Sequence, residues 1–278
     1  MLVTDSVAQR AAPRLVRRLA GPLIAIAVAI TALTFTPLAA DAAGPKVVIV
    51  VGPVGSLTAS YIARAKEIAA QARGYGASVS EVYSPNATWA RVKQVAQGAN
   101  LFVYLGHGNG SPSPYGPFNP KKMDGLGLNP YAGSGNTTTA YYGEYYVGRD
   151  IHLAADAVVI LNHLCYASGN SEPGMGRPSR AVARTRVDNY GAGFLKAGAR
   201  TVFAYGHSSA KSILYGLFKT DRPMIDIFWF DPSATHTYAS KFFSERTPGA
   251  AGWLDPYQVG DWYRSVVGSM TMRASTWR

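Results

Sequence analysis

Beyond residue 45 the apolar positions fall into two patterns, short unbroken runs and stretches of helical period. Val47 to Val51 is β-branched throughout and is closed by Gly52-Pro53, which predicts a strand buried on both faces. Tyr61, Ile62, Ala65, Ile68, Ala69 and Ala72 then recur at helical spacing. Ser56 or Thr58 is the expected cap of that helix, and Gly74 and Gly76 are its stop. Ala77 to Tyr83 reads as a second strand. Thr88 to Gln97 reads as a short helix with Trp89, Val92 and Val95 on one side, and Leu101 to Leu105 as a third strand. Further on, Ala157 to Leu161 is a fourth strand, Ser179 to Lys196 a helix ended by Gly198, and Thr201 to Tyr205 a fifth strand. The β-α-β-α-β order predicts an α/β fold, a three-layer α-β-α sandwich around a mainly parallel sheet. Sites in such sheets lie off the carboxyl ends of the strands.

Two stretches interrupt the pattern. Between about 109 and 150, Gly, Pro, Asn and Tyr dominate, in SPSPYGPFNP, GLGLNPYAGSGN and AYYGEYY. A segment this long is either disordered or a functional loop, and its aromatic content argues for order. It is expected to be an ordered excursion beside the site, with room for a small hairpin. Its aromatics are expected to pack the insert onto the sheet rather than line a subsite. From Lys211 onward the chain is aromatic-rich, and LDPYQVGDWYRSVV predicts one more short helix.

The first residues read differently. Arg10, Arg14, Arg17 and Arg18 precede the uncharged, apolar run Leu19 to Ala40, and Ala40-Asp41-Ala42 fits a signal cleavage site. The organisation expected is therefore a signal peptide over 1–42, an α/β domain over 43–210 with an insert at about 109–150, and a C-terminal extension over 211–278 packed on the same domain. The run is also long enough to span a bilayer, so a retained anchor is the alternative. Cleavage leaves 236 of the 278 residues. Net charge falls from +11 to +9, because the leader holds four arginines and two aspartates. The expected location is secreted, periplasmic or on the cell surface. A basic surface suits anionic cell-wall or surface polymers. The basic residues are scattered and do not interleave with aromatics, so no nucleic-acid partner is expected.

The candidate chemistry lies at two strand ends. LFVYL is followed by Gly106-His107-Gly108, and VVILN is followed by a short turn to Cys165, the only cysteine, 58 residues after His107. A lone thiol in an oxidising compartment is either buried or used. Here it sits among Asn162, His163, Tyr166, Ser168 and Asn170, a polar setting. A neighbouring imidazole can take the proton of a thiol and later protonate a leaving amine. Gly108 leaves room for a backbone amide to approach a substrate oxygen. A low thiol pKa is expected, with fast alkylation near pH 6.

An apolar strand ending in His-Gly, then an apolar strand ending in a short turn to Cys, resembles the caspase/gingipain superfamily of cysteine peptidases, as an exported bacterial member. The segment SRAVARTRVDNYGAGFLKAGARTVFAYGH also resembles the helix and strand after the cysteine in bacterial members. The likeness runs from Lys46 to His207. Leu164 stands where many members have Ala, and His163 where caspases have Gln. The resemblance implies an endopeptidase acting on protein or peptide substrates through a His107–Cys165 dyad. Its oxyanion donors would be the backbone amides of Gly108 and Cys165. No cofactor is read from the residues, and calcium enters only through the resemblance. Glu172, Asp124, Glu144 and Asp150 are each able to orient His107 or to receive a basic side chain, and none is favoured.

Three rival readings follow from other residues. GHSSA (Gly206 to Ala210) resembles a nucleophile elbow, with Ser208 attacking, Asp226 or Asp231 orienting, His236 as base and GHGNG as oxyanion loop. The bland role of Ser208 and Ser209 is to cap the next helix. His163, Cys165, His107 and His207 lack structural-zinc spacing, and no H-E-x-x-H occurs, so no metal is expected. His152 and Glu144 are expected on the insert surface. The last rival is an exported, non-catalytic binding module on the same fold.

Overall fold

The computed structural model describes residues 44–278. The signal expected over 1–42 and its anchor alternative lie outside the described residues. The chain runs β1 (Lys46–Val51), α1 (Thr58–Gly74), β2 (Ser78–Tyr83), α2 (Trp89–Ala96), β3 (Leu101–Leu105), β4 (Leu126–Leu128), β5 (Ala140–Tyr142) and α3 (Glu144–Asp150). It continues through β6 (Ala157–Asn162), α4 (Arg180–Lys196), β7 (Ala199–Tyr205), α5 (Lys211–Lys219), α6 (Met224–Trp229), β8 (Ser240–Phe243), β9 (Ala251–Leu254), β10 (Arg264–Gly268) and α7 (Ala274–Trp277). Eight strands form one sheet in the order β2-β1-β3-β6-β7-β10-β9-β8, and β4 and β5 form a separate antiparallel pair.

The pairs from β2 through β7 are parallel, while β10, β9 and β8 add antiparallel strands at one edge. The pleat sends alternate side chains to opposite layers. Val48, Val50, Phe102, Tyr104, Val159 and Leu161 pack with α2, α3 and α4, whereas Val47, Ile49, Leu101, Val103, Val158 and Ile160 pack with α1, α5, α6 and α7. That is a three-layer α-β-α sandwich. Strand order reverses between β1 and β3, the topological switch point of the sheet, and β4 packs over it: a Cβ on Gly52 would lie 2.1 Å from the Gly127 carbonyl. Among the described residues, no helix is long and apolar enough to cross a membrane.

Two local expectations are corrected. Neither Ser56 nor Thr58 caps α1: a 3₁₀ turn at Gly55–Leu57 precedes it, and the Thr58 hydroxyl accepts from the Val54 amide and donates to the Gly55 carbonyl. The segment LDPYQVGDWYRSVV holds no helix. Leu254 ends β9, Pro256 and Gly260 (φ +94°) break the chain, and the β-branched Val266-Val267 lies in β10, buried against β7. Residues 211–278 therefore supply three strands of the main sheet together with α5, α6 and α7.

The insert is ordered. The fully buried Tyr104 hydroxyl accepts from the Gly127 amide and lies 2.8 Å from the Gly127 carbonyl, which fixes β4 to β3. Trp89 stacks on Tyr142 (4.9 Å), and Tyr146 meets both edge-on, so these aromatics hold the insert against α2.

Candidate active site

β3 and β6 are parallel neighbours in register at Leu105 and Asn162. His107 therefore follows one strand end by two residues, and Cys165 follows the adjacent strand end by three. The cysteine loop is bent sharply. His163 (φ +56°) and Tyr166 (φ +69°) both hold left-handed backbone, which costs a bulky residue about 1–3 kcal/mol. Hydrogen bonds offset that cost: the His163 amide donates to the Tyr205 carbonyl, Ala167 to Cys165, and Gly169 to Tyr166.

The two loops touch through glycine. A Cβ on Gly108 would lie 2.0 Å from the Cys165 carbonyl oxygen, and one on Gly110 would lie 2.3 Å from Tyr166 Cβ. Only a residue without a side chain allows this approach. Neither the Gly108 amide nor the Cys165 amide donates to an acceptor among the described residues. Backbone amides without an acceptor are the groups from which an oxyanion hole is built.

Cys165 is half-buried in a cleft of about 380 Å³, whose lining includes Tyr61, His163, Asn170, Glu172 and His207. Glu172 accepts from the Tyr166 hydroxyl (2.9 Å) and from the Tyr115 hydroxyl (2.7 Å). Burial, with the Glu172 charge second, pushes the Cys165 thiol up to about 11. The low thiol pKa expected from the polar flanking residues is thereby corrected: Tyr166, Ser168 and Asn170 are themselves buried, so the thiol is poorly hydrated. Much of the His107 surface is open, yet enough protein surrounds its ring that lost hydration pushes its pKa down, with Glu172 pulling it up. Near neutrality both groups are uncharged. Among the described residues, no hydrogen bond joins the thiol to the imidazole.

His163 and His207 line the cleft, and His107 does not. His163 Nε2 lies 3.4 Å from Arg64 Nη1, and its pKa falls to about 4 through burial, Arg64 and His207. The His207 ring meets Tyr263 edge-on at 4.0 Å. Among the described residues, no three His, Cys, Asp or Glu side chains cluster as metal ligands do.

Of the four acidic candidates, only Glu172 acts on both His107 and Cys165. Glu144 pairs with Arg246 (2.7 Å) and Asp150 with Arg149. Asp124 is fully buried under the chain after His107, its Oδ1 accepting from the Ser111 amide.

The serine constellation does not assemble. The Asp231 carboxylate is held by Ser212 and Ser233, and the His236 ring stacks on Trp229 at 4.8 Å. No hydrogen bond links Ser208, His236 and Asp226 or Asp231 among the described residues. The Ser209 hydroxyl accepts from the Lys211 amide at the start of α5.

Tyr115, Arg186 and Tyr190 carry no signal in the sequence that marks them as part of the site. Asn170 reads in the sequence only as a polar neighbour of the cysteine. It is buried at the cleft, and its Oδ1 finds no partner among the described residues. Tyr115 reaches Glu172 across 57 positions, and local patterning carries no such signal. In comparisons with known proteins, the chain matches no family model, no curated protein and no solved structure.

Proposed function

We propose that this chain is an exported cysteine endopeptidase of the caspase/gingipain type, with Cys165 as nucleophile and His107 as general base and acid. The observation that carries the reading is the contact of the two strand-end loops, with Gly108 against the Cys165 carbonyl and with the Gly108 and Cys165 amides lacking acceptors among the described residues. Because thiol and imidazole are both neutral at rest, His107 takes the thiol proton as sulfur attacks the peptide carbonyl. The Gly108 and Cys165 amides donate to the oxyanion. The imidazolium then protonates the leaving amine, and water hydrolyses the thioester with His107 again as base. Export and an anionic wall or surface partner complete the proposal, on the strength of the N-terminal pattern and the basic charge.

A second reading, a non-catalytic binding module, is favoured by the raised thiol pKa and the missing Cys165–His107 hydrogen bond. One comparison separates them. Cys165→Ala is expected to abolish turnover of a peptide mixture while keeping the wild-type circular dichroism, and Ser208→Ala to leave turnover near wild type. No turnover by the correctly folded wild-type protein favours the binding module. Loss only in Ser208→Ala installs the serine hydrolase.

A further inference from the structure

A buried arginine ordinarily faces a carboxylate. Arg186 on α4 is 5% exposed and forms no ion pair among the described residues. Its Nε donates to the Pro112 carbonyl (2.8 Å), on the chain leaving His107. Its Nη1 donates to the Asn170 carbonyl (2.6 Å) and to Ser171 Oγ (3.1 Å), on the chain leaving Cys165. The guanidinium also lies 4.6 Å over the ring of Tyr166, the residue next to the cysteine.

Its helical neighbours hold one loop only. Asn189 donates to the Ser111 carbonyl (2.9 Å), and the Tyr190 hydroxyl accepts from the Asn109 amide (2.9 Å). The direct polar links between the two loops are Tyr115 to Glu172 and the Tyr166 hydroxyl to the Ser113 hydroxyl. Arg186 is the buried cation that hydrogen-bonds to both loops at once.

We propose that Arg186 is a positioning residue that locks the His107 loop to the Cys165 loop and so sets the spacing of thiol, imidazole and oxyanion amides. The role in turnover rests on the cysteine-peptidase reading; the clamp itself does not. A planar fork of donors serves both loops at once, and a lysine ammonium does not reproduce that geometry.

The test compares full-length wild type with Arg186→Met and Arg186→Lys. It uses iodoacetamide alkylation of Cys165 across pH 6–10, thermal melting, and kcat and KM on a peptide substrate. Release of the loops lets water reach the thiol, so alkylation at pH 8 is expected to rise about tenfold in both variants, one unit of pKa. kcat is expected to fall about 100-fold, the cost of a 1 Å misplacement, with KM little changed. If Arg186→Met does not fold, Arg186→Lys carries the test. A folded Arg186→Lys protein with the wild-type alkylation profile overturns the clamp, as does a change that merely tracks the unfolded fraction. Alkylation needs no substrate, so an inactive wild type defeats the peptidase reading while the clamp is still decided.

Discussion

Replacing Asp124 with asparagine should make the protein more stable at neutral pH, by an amount that grows with pH. Asp124 is fully buried, adopts φ +60°, and leaves Oδ2 without a partner among the described residues. Burial raises its pKa from 3.8 to about 8, Glu144 adds to the rise, and Ser111, Arg246 and Arg186 oppose it. The folded chain therefore holds a proton that the unfolded chain releases. Stability from this group is complete below pH 3.8 and is lost as pH rises to about 8. At about 1.4 kcal/mol per unit, the loss is on the order of 4 kcal/mol at pH 7. Asparagine does not titrate, tolerates left-handed backbone and keeps an acceptor for Ser111. Its buried amide gives back about 1–3 kcal/mol for want of an acceptor. The net gain at pH 7 is then about 1–3 kcal/mol. Urea unfolding followed by tryptophan fluorescence between pH 4.5 and 8.5 should show the gain rising by about 1.4 kcal/mol per pH unit. A gain independent of pH, or a loss at every pH, refutes the reasoning.

Other predictions concern the site directly. Glu172→Gln removes the charge that raises both Cys165 and His107, so alkylation at pH 8 should speed up, and the acid limb of kcat/KM should move to lower pH. Unmoved profiles would exclude Glu172 as their neighbour. In the wild type, alkylation should be slower near pH 6 than that of a free thiol and climb until about pH 11. A plateau below pH 8 would contradict the buried-thiol account. Gly110→Ala forces a methyl against Tyr166 and should cost about 1–3 kcal/mol in chemical denaturation. A neutral effect would show that the loops are not packed as described.

Much of the parallel sheet is legible because its strands are buried on both faces. Val47 to Val51 and Leu101 to Leu105 contain no polar position but the Tyr104 hydroxyl, and the helices between them keep their period. The antiparallel edge is illegible for the opposite reason. Ser240–Phe243 and Ala251–Leu254 are four residues each and only alternately buried, too short for periodicity to separate strand from turn. In the site, the strand ends mark His107 and Cys165 because position along a parallel strand is local information. The protonation of Cys165 is not local. It follows from Tyr166, Ser168 and Asn170 folding inward and from Glu172 being held by Tyr115 of the distant insert. Arg186 likewise reads as a surface arginine on a helix until both loops are seen to converge on it.

The most direct test of the central claim is acid quenching of the protein during turnover of a peptide substrate, with intact-mass analysis and mapping of the modified residue. A peptidyl thioester on Cys165, absent from Cys165→Ala and accumulating without turnover in a folded His107→Ala protein given an activated thioester substrate, is the predicted result. An adduct on Ser208, or undiminished turnover in Cys165→Ala, contradicts it.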